Sequence, residues 1–323
     1  MMLSAPVLSL AAQAITTRKR IGRAVVETPC ILSRAAASGG GELYFKCENF
    51  QTTGSFKLRG AVSKMSLMPK ETPLVTASSG NHGIACAHAS RLTGHTLSVV
   101  LPETVSKAKL AQIERRGAIP ILHPGDSGLA ERHARKLAEK DGYAYISPYN
   151  DDAVMAGQAT IALELLEQLS RIDRVYVSMG GGGLICGIGS VLKSFSPGTE
   201  IVGVGAENSA ALAASMKAGK VIDIDHLPTL ADGCAGGMDH DSMTFSLACE
   251  VVDRVMICSE CQIENALRHL AWTETLLVEG AAALALAAYA ADSPSPEGHV
   301  SVVLLCGANF DHSMLMPIIY QAK

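Results

Sequence analysis

Lys57 is the residue of this sequence best placed to act as a nucleophile. It sits in Ser55-Phe56-Lys57-Leu58-Arg59-Gly60-Ala61, just after the Gly/Thr-rich turn of residues 48–54 and at the expected start of a helix. The run-in Leu43-Tyr44-Phe45-Lys46 reads as a short strand, so Lys57 lies near a strand-to-helix junction. A helix N-terminus and the nearby Arg59 both disfavour an added positive charge, which favours the neutral amine that forms a Schiff base. An arbitrary lysine is a solvated helical cation. The motifs that accompany Lys57 argue against that reading.

Gly180-Gly181-Gly182-Gly183-Leu184 follows the strand-like Val175-Tyr176-Val177-Ser178 and opens a helix. Glycines there permit positive φ and close approach, so several backbone N–H groups can converge on a phosphate. The G-x-G-x-x-G spacing fails from Gly180 and from Gly181, and no Walker lysine follows, so a dinucleotide or P-loop site is set aside. Ser78-Ser79-Gly80-Asn81-His82-Gly83 occupies a similar strand-to-helix position. Its hydroxyls and N–H groups suit a carboxylate, and Asn81 can donate to a phenolic oxygen. The same loop read alone is also a Ser/Asn helix cap. Leu304-Leu305-Cys306-Gly307-Ala308-Asn309 ends the last strand with a small polar group or, on the plainer reading, a buried core thiol. Two other patterns carry no chemistry. Cys258-Ser259-Glu260-Cys261 lacks a second pair and reads as a capping box from Ser259 to Gln262. The histidines show no H-E-x-x-H spacing, and His82 reads as structural rather than metal-ligating.

These groups need a scaffold that brings strand ends together. Strand-like runs at 74–77, 97–101 and 119–122 are each followed by a helical run, which predicts three consecutive βα units. A helix at 154–169 opens a second series, with strands at 174–179, 200–206, 254–258 and 300–305 and helices at 184–194, 260–273 and 279–291. Residues 208–242, rich in Gly, Asp and Pro, are the least regular part. The 323 residues contain 48% hydrophobic but only 4% aromatic residues, a composition suited to parallel sheets buried on both faces. The expected fold is α/β, with two open, twisted, mostly parallel sheet domains. A net charge of −4 gives no footprint for nucleic acid, and no apolar run is long enough to span a bilayer. Residues 1–14 are apolar but lack a basic leading region, so they read as a helix packed on the body. Nine scattered cysteines fit reduced thiols, and a cytoplasmic location is expected.

A lysine nucleophile, a phosphate cradle, a carboxylate loop and a late polar group together describe a pyridoxal phosphate site. The chain resembles the fold-type II pyridoxal phosphate enzymes (tryptophan synthase β-like) of the threonine/serine dehydratase and serine racemase family. The four motifs above stand in family order, and the resemblance runs from Thr28-Pro29 to Asp311. It implies a large cofactor-binding domain of residues 1–70 and 146–323, a small mobile domain of 71–145, and a homodimer. Without a C-terminal regulatory extension, the chain looks like the short catabolic forms.

By the same resemblance, Lys57 would bind the cofactor covalently and move the Cα proton. Phe56 would pack on the cofactor ring and Asn81 would bond its 3-hydroxyl. Gly180, Gly181, Gly182, Gly183 and Leu184 would bind its phosphate, and Cys306 would face its ring nitrogen. Glu279, in Val278-Glu279-Gly280-Ala281, aligns with the family's active-site glutamate. Ser78, Ser79, Gly80, Asn81 and His82 would hold the carboxylate of a small amino-acid substrate. Many dehydratases have alanine where Ser79 stands, whereas racemases use a serine there as a second base. Of the racemases' divalent-cation site, Glu207 and Ala211 match but Ala213 replaces an aspartate, so no metal is expected. Ile84 replaces the usual glutamine. The activity implied is dehydration of a hydroxy amino acid to a 2-oxo acid and ammonia. A racemase with side elimination and a catalytically silent cofactor-binding sensor are the alternatives. L-threonine, L-serine, 3-hydroxyaspartate and a hydroxylated diamino acid all remain open as substrates.

Overall fold

The computed structural model describes residues 3–35 and 40–320. The first helix, α1 (Ala5–Ile21), runs further than the apolar residues 1–14 alone predict. Ser4 caps it, and Val7, Leu10, Ala11, Ala14, Thr17 and Ile21 form one buried stripe at helical spacing. Its last turn carries Arg18, Lys19 and Arg20, favourable at the negative end of the helix dipole. Two short strands, β1 (Cys30–Leu32) and β2 (Glu42–Lys46), precede α2 (Lys57–Met65), so Lys57 does open a helix.

The three predicted βα units follow as β3 (Leu74–Thr76), α3 (Asn81–Thr93), β4 (Leu97–Pro102), α4 (Lys107–Arg115), β5 (Ile119–His123) and α5 (Ser127–Lys140). A fourth strand, β6 (Ala144–Tyr145), joins them in an all-parallel sheet of order β5-β4-β3-β6. The second series is α6 (Asp152–Gln168), β7 (Arg174–Ser178), α7 (Gly183–Phe195), β8 (Glu200–Ala206), α8 (Ala211–Ala218), α9 (Met243–Val251), β9 (Arg254–Cys258), α10 (Glu260–Trp272), α11 (Gly280–Ala291), β10 (Val300–Leu304) and α12 (His312–Tyr320). Residues 208–242 therefore contain one regular helix, α8, within an otherwise irregular path. The capping box predicted for α10 is present, with Ser259 and Gln262 bonded reciprocally.

These strands build a six-stranded sheet of order β1-β2-β10-β7-β8-β9, parallel except for the β1 pairing. β10 is buried along its whole length, as a central strand with helices on both faces must be. Helices α1, α6 and α7 pack on one another, and α11 packs against β7, β8, β9 and β10. Both sheets reverse direction of growth. The small one grows from β3 to β5 and returns to the other side of β3 with β6. The large one grows from β7 to β9 and returns beside β7 with β10. Crevices beyond the carboxyl ends of strands at such reversals are where open α/β sheets bind ligands.

Lys46 of β2, Glu48, Arg59 of α2 and Glu164 of α6 form a buried ionic core that no local pattern announces. Arg59, fully buried, donates to both carboxylate oxygens of Glu48 at 2.8 Å and to those of Glu164 at 2.5 and 2.9 Å. Lys46, also fully buried, donates to Glu164 at 2.6 Å and to the Thr28 carbonyl at 2.6 Å. Two cations thus balance two carboxylates, with Thr160 and Gln168 of α6 and Val26 and Thr28 of the segment before β1 completing the set.

Candidate active site

One cleft of about 500 Å³, counting the solvent at its mouth, opens at these strand ends. Lys57 reaches into it from α2, and its Nζ donates to the Pro148 carbonyl at 2.8 Å while lying 5.2 Å from the centre of the Phe56 ring. Among the described residues no carboxylate forms an ion pair with it. Lys46 is the contrast: fully buried, it donates to the Glu164 carboxylate at 2.6 Å. Burial pushes the Lys57 amine below its ordinary pKa, against the opposing pull of Cys234, Cys86, Cys306 and Glu279. The shift is in the direction that the sequence suggests, but burial and not Arg59 is its cause. Residues two apart on a helix point to different sides, and Arg59 turns into the ionic core.

The four glycines at 180–183 link β7 to α7 along the same cleft, with Leu184 beside them. Gly182 has φ +90°, a left-handed conformation that a side chain would strain, and it turns the chain so that α7 begins at Gly183. The first turn of this 13-residue helix leaves its N–H groups unpaired within the helix. An amine without a counter-ion and an anion-binding helix start therefore share one enclosed space. That donor set fits a phosphorylated carbonyl compound bound covalently at one end and by its phosphate at the other.

Glu279, the N-cap residue of α11, is buried at the cleft floor. It accepts from Asn81 Nδ2 at 2.8 and 3.0 Å and from the Asn309 backbone at 3.1 Å. Burial pushes its carboxyl up to about 7; the Asn81 bond opposes this and Asp232 adds to it. Asn81 Oδ1 in turn accepts from Asn309 Nδ2 at 2.7 Å, which ties the start of α3 to the segment after β10. Cys306, just past β10, lies 3.9 Å from Glu279, and burial holds its thiol well above the ordinary value, hence neutral.

Phe56, Lys57, Asn81, Gly180, Gly181, Gly182, Gly183, Leu184, Glu279 and Cys306 thus all line one cleft. Ser78, Ser79 and Gly80 form the half-buried β3–α3 loop beside it, with Ser78 Oγ accepting from the Gly80 N–H at 3.2 Å. The His82 side chain is not available to a ligand. Its Nε2 lies 2.9 Å from the Ile146 carbonyl, and burial, helped by Lys57, lowers its pKa to about 3. Glu207 is exposed and Ala211 opens α8; among the described residues no group of three His, Cys, Asp or Glu could hold a metal. All nine cysteines are free thiols.

The sequence reading missed Pro148, Tyr149 and Cys234, which also line the cleft. Pro148 and Tyr149 follow a two-residue strand too short to recognise. Cys234 sits in the irregular segment, where no periodicity marks a face.

The fold and the cleft define an enzyme that works through a phosphorylated cofactor at the reversal points of two mostly parallel sheets. A sequence model of pyridoxal-phosphate dependent enzymes matches residues 21–307, and the chain belongs to that family. An L-threonine ammonia-lyase of Thermotoga maritima is 34% identical over 307 residues, covering 94% of this chain and 75% of the relative. The solved processed form of threonine deaminase isoform 2 from Solanum lycopersicum superposes with a TM-score of 0.90 at 28% identity, covering 98% of this chain and 93% of that one. Maize serine racemase superposes with a TM-score of 0.87 at 29% identity, covering 96% of each chain.

Proposed function

We propose that the chain is an ammonia-lyase that dehydrates a hydroxy amino acid, threonine or serine in the first instance, to a 2-oxo acid and ammonia. The observation that carries it is the Lys57 amine, bonded to the Pro148 carbonyl and without a counter-ion, in one cleft with the four-glycine helix start, in a chain whose relatives include a threonine ammonia-lyase. The four glycines and Leu184 would hold the cofactor phosphate, Phe56 its ring face, Asn81 its 3-hydroxyl and Cys306 its ring nitrogen. When bound, the cofactor supplies an electron sink for the pair left at Cα. Lys57 removes the Cα proton, and the β-hydroxyl departs with its bonding pair and a proton as water. The released enamine takes up water and yields the 2-oxo acid and ammonia. Ser78, Ser79, Gly80 and Asn81 hold the substrate carboxylate, with His82 contributing only its backbone. Glu279 holds Asn81 in register. The two sheets act as two domains, residues 71–145 moving against 1–70 and 146–323, in a cytoplasmic homodimer.

Ser79 favours a second reading, amino-acid racemisation, since a hydroxyl on the opposite face from Lys57 could return a proton to Cα. A panel of L-threonine, L-serine, 3-hydroxyaspartate and hydroxylated diamino acids, assayed for 2-oxo acid and ammonia, tests the first reading. If L-serine inverts several-fold faster than it releases pyruvate, and inversion vanishes in Ser79→Ala, the racemase reading replaces it.

A further inference from the structure

The glycine turn does not stand alone. The Tyr149 ring is pressed against it so closely that a Cβ on Gly181 would lie 2.5 Å from the ring, and one on Gly183 would lie 2.9 Å from the Tyr149 backbone. The Tyr149 hydroxyl accepts from the Asp239 N–H at 2.8 Å. The Asp239 carboxylate accepts from Asn150 Nδ2 at 3.1 Å and from Arg135 Nη2 at 2.8 and 3.1 Å. Arg135 belongs to α5, on the small sheet, where it also bonds Glu131 at 2.7 Å and lies 4.7 Å from the centre of the Tyr145 ring. A second path starts from the same aspartate. Asn150 Oδ1 accepts from the Met243 N–H at 3.0 Å, and the next residue, Thr244, donates its hydroxyl to the Gly181 carbonyl at 2.6 Å.

We propose that Tyr149 is a positioning residue of the phosphate cradle and that the Arg135–Asp239 pair is the strap that holds it there. Docking of the small sheet and shaping of the glycine turn are then one event. Arg135 reaches across from α5, Asp239 fixes both Tyr149 and Asn150, and Tyr149 and Thr244 hold the turn from its two sides. This rests on the reading that the glycine turn holds the cofactor phosphate, and it adds a cause for two of the glycines. Gly181 and Gly183 leave room for Tyr149 as well as for the phosphate.

The test separates the phosphate from the rest of the cofactor. The cofactor-free protein is titrated with pyridoxal phosphate and with unphosphorylated pyridoxal, for wild type, Tyr149→Phe, Arg135→Gln and the double variant, with melting temperatures measured alongside. Wild type should bind the phosphorylated form far more tightly. Each single variant should weaken that form about fivefold, the effect of one lost hydrogen bond, and leave pyridoxal unchanged. The double variant should be no weaker than the worse single, because both changes cut one chain. If the variants weaken both compounds equally, weaken neither, or add independently, the strap is only structural and the inference fails. If wild type does not distinguish the two compounds, the phosphate reading itself fails, and the strap's role with it.

Discussion

Removal of the Arg59 guanidinium tests the ionic core beneath Lys57. In Arg59→Met the side-chain volume is largely kept while a cation with two carboxylate partners is lost. Glu48 loses both 2.8 Å bonds and keeps only the Thr28 hydroxyl, whereas Glu164 keeps Lys46 at 2.6 Å. The core passes from two charges of each sign to one cation against two carboxylates. Breaking a buried pair from one side costs about 3–5 kcal/mol, against a total stability of about 5–15 kcal/mol. The deficit must depend on pH. In the native protein burial pushes the Glu48 carboxyl up, and Arg59, with the Thr28 hydroxyl and Lys46, more than offsets this, so its pKa ends below the ordinary value. That contribution is present above the unfolded pKa and is lost as pH falls through the folded one. Without Arg59 only the Thr28 hydroxyl and the more distant Lys46 oppose the burial penalty, which raises the folded pKa, so the variant is penalised most where Glu48 is ionised. The two proteins should therefore differ most at neutral and mildly alkaline pH and draw together as pH falls, the last of the difference disappearing below the unfolded carboxylate value of about 4.3. Urea melts of both proteins across this range measure it. A deficit under about 1 kcal/mol, or one that does not shrink in acid, would refute the account of a desolvated, charge-balanced core.

Borohydride reduction of the holoenzyme followed by peptide mapping should place the cofactor on Lys57; label on Lys46 or any other lysine would overturn the site. Gly157→Ala should force α2 and α6 apart, since the new Cβ would lie 2.5 Å from the Arg59 carbonyl and 2.6 Å from Gly60 Cα. A loss of about 1–3 kcal/mol and poorer cofactor retention are expected, and an unchanged melting temperature would show that the helices yield. Glu279 has a raised folded pKa of about 7. It therefore contributes stability below the unfolded carboxylate value that drains away as pH rises to about 7. The cofactor-free protein should lose stability over that window and Glu279→Gln should not, a contrast that thermal melts across pH would expose.

Local chemistry made much of this protein legible. The alternation of strand-like and helical runs announced the three βα units of the small sheet, because each needs only its own periodicity and a turn. The glycine run after β7 and Lys57 at the head of α2 are also local statements, as is the Ser259–Gln262 capping box. β1 and β6 were not legible, since at three and two residues their pairing comes from neighbouring strands rather than from their own pattern. Arg59 shows the limit most clearly. Its position two residues from Lys57 suggested an electrostatic neighbour, yet it faces Glu48 and Glu164 instead. Lys46 sits fully buried in a strand because Glu164, 118 residues away, comes to meet it. Tyr149 reaches the glycine turn by the same kind of long-range placement. Periodicity decides which face of an element avoids water. Which charges and rings share the enclosed space is decided only when the chain reversals of the two sheets bring distant strand ends together.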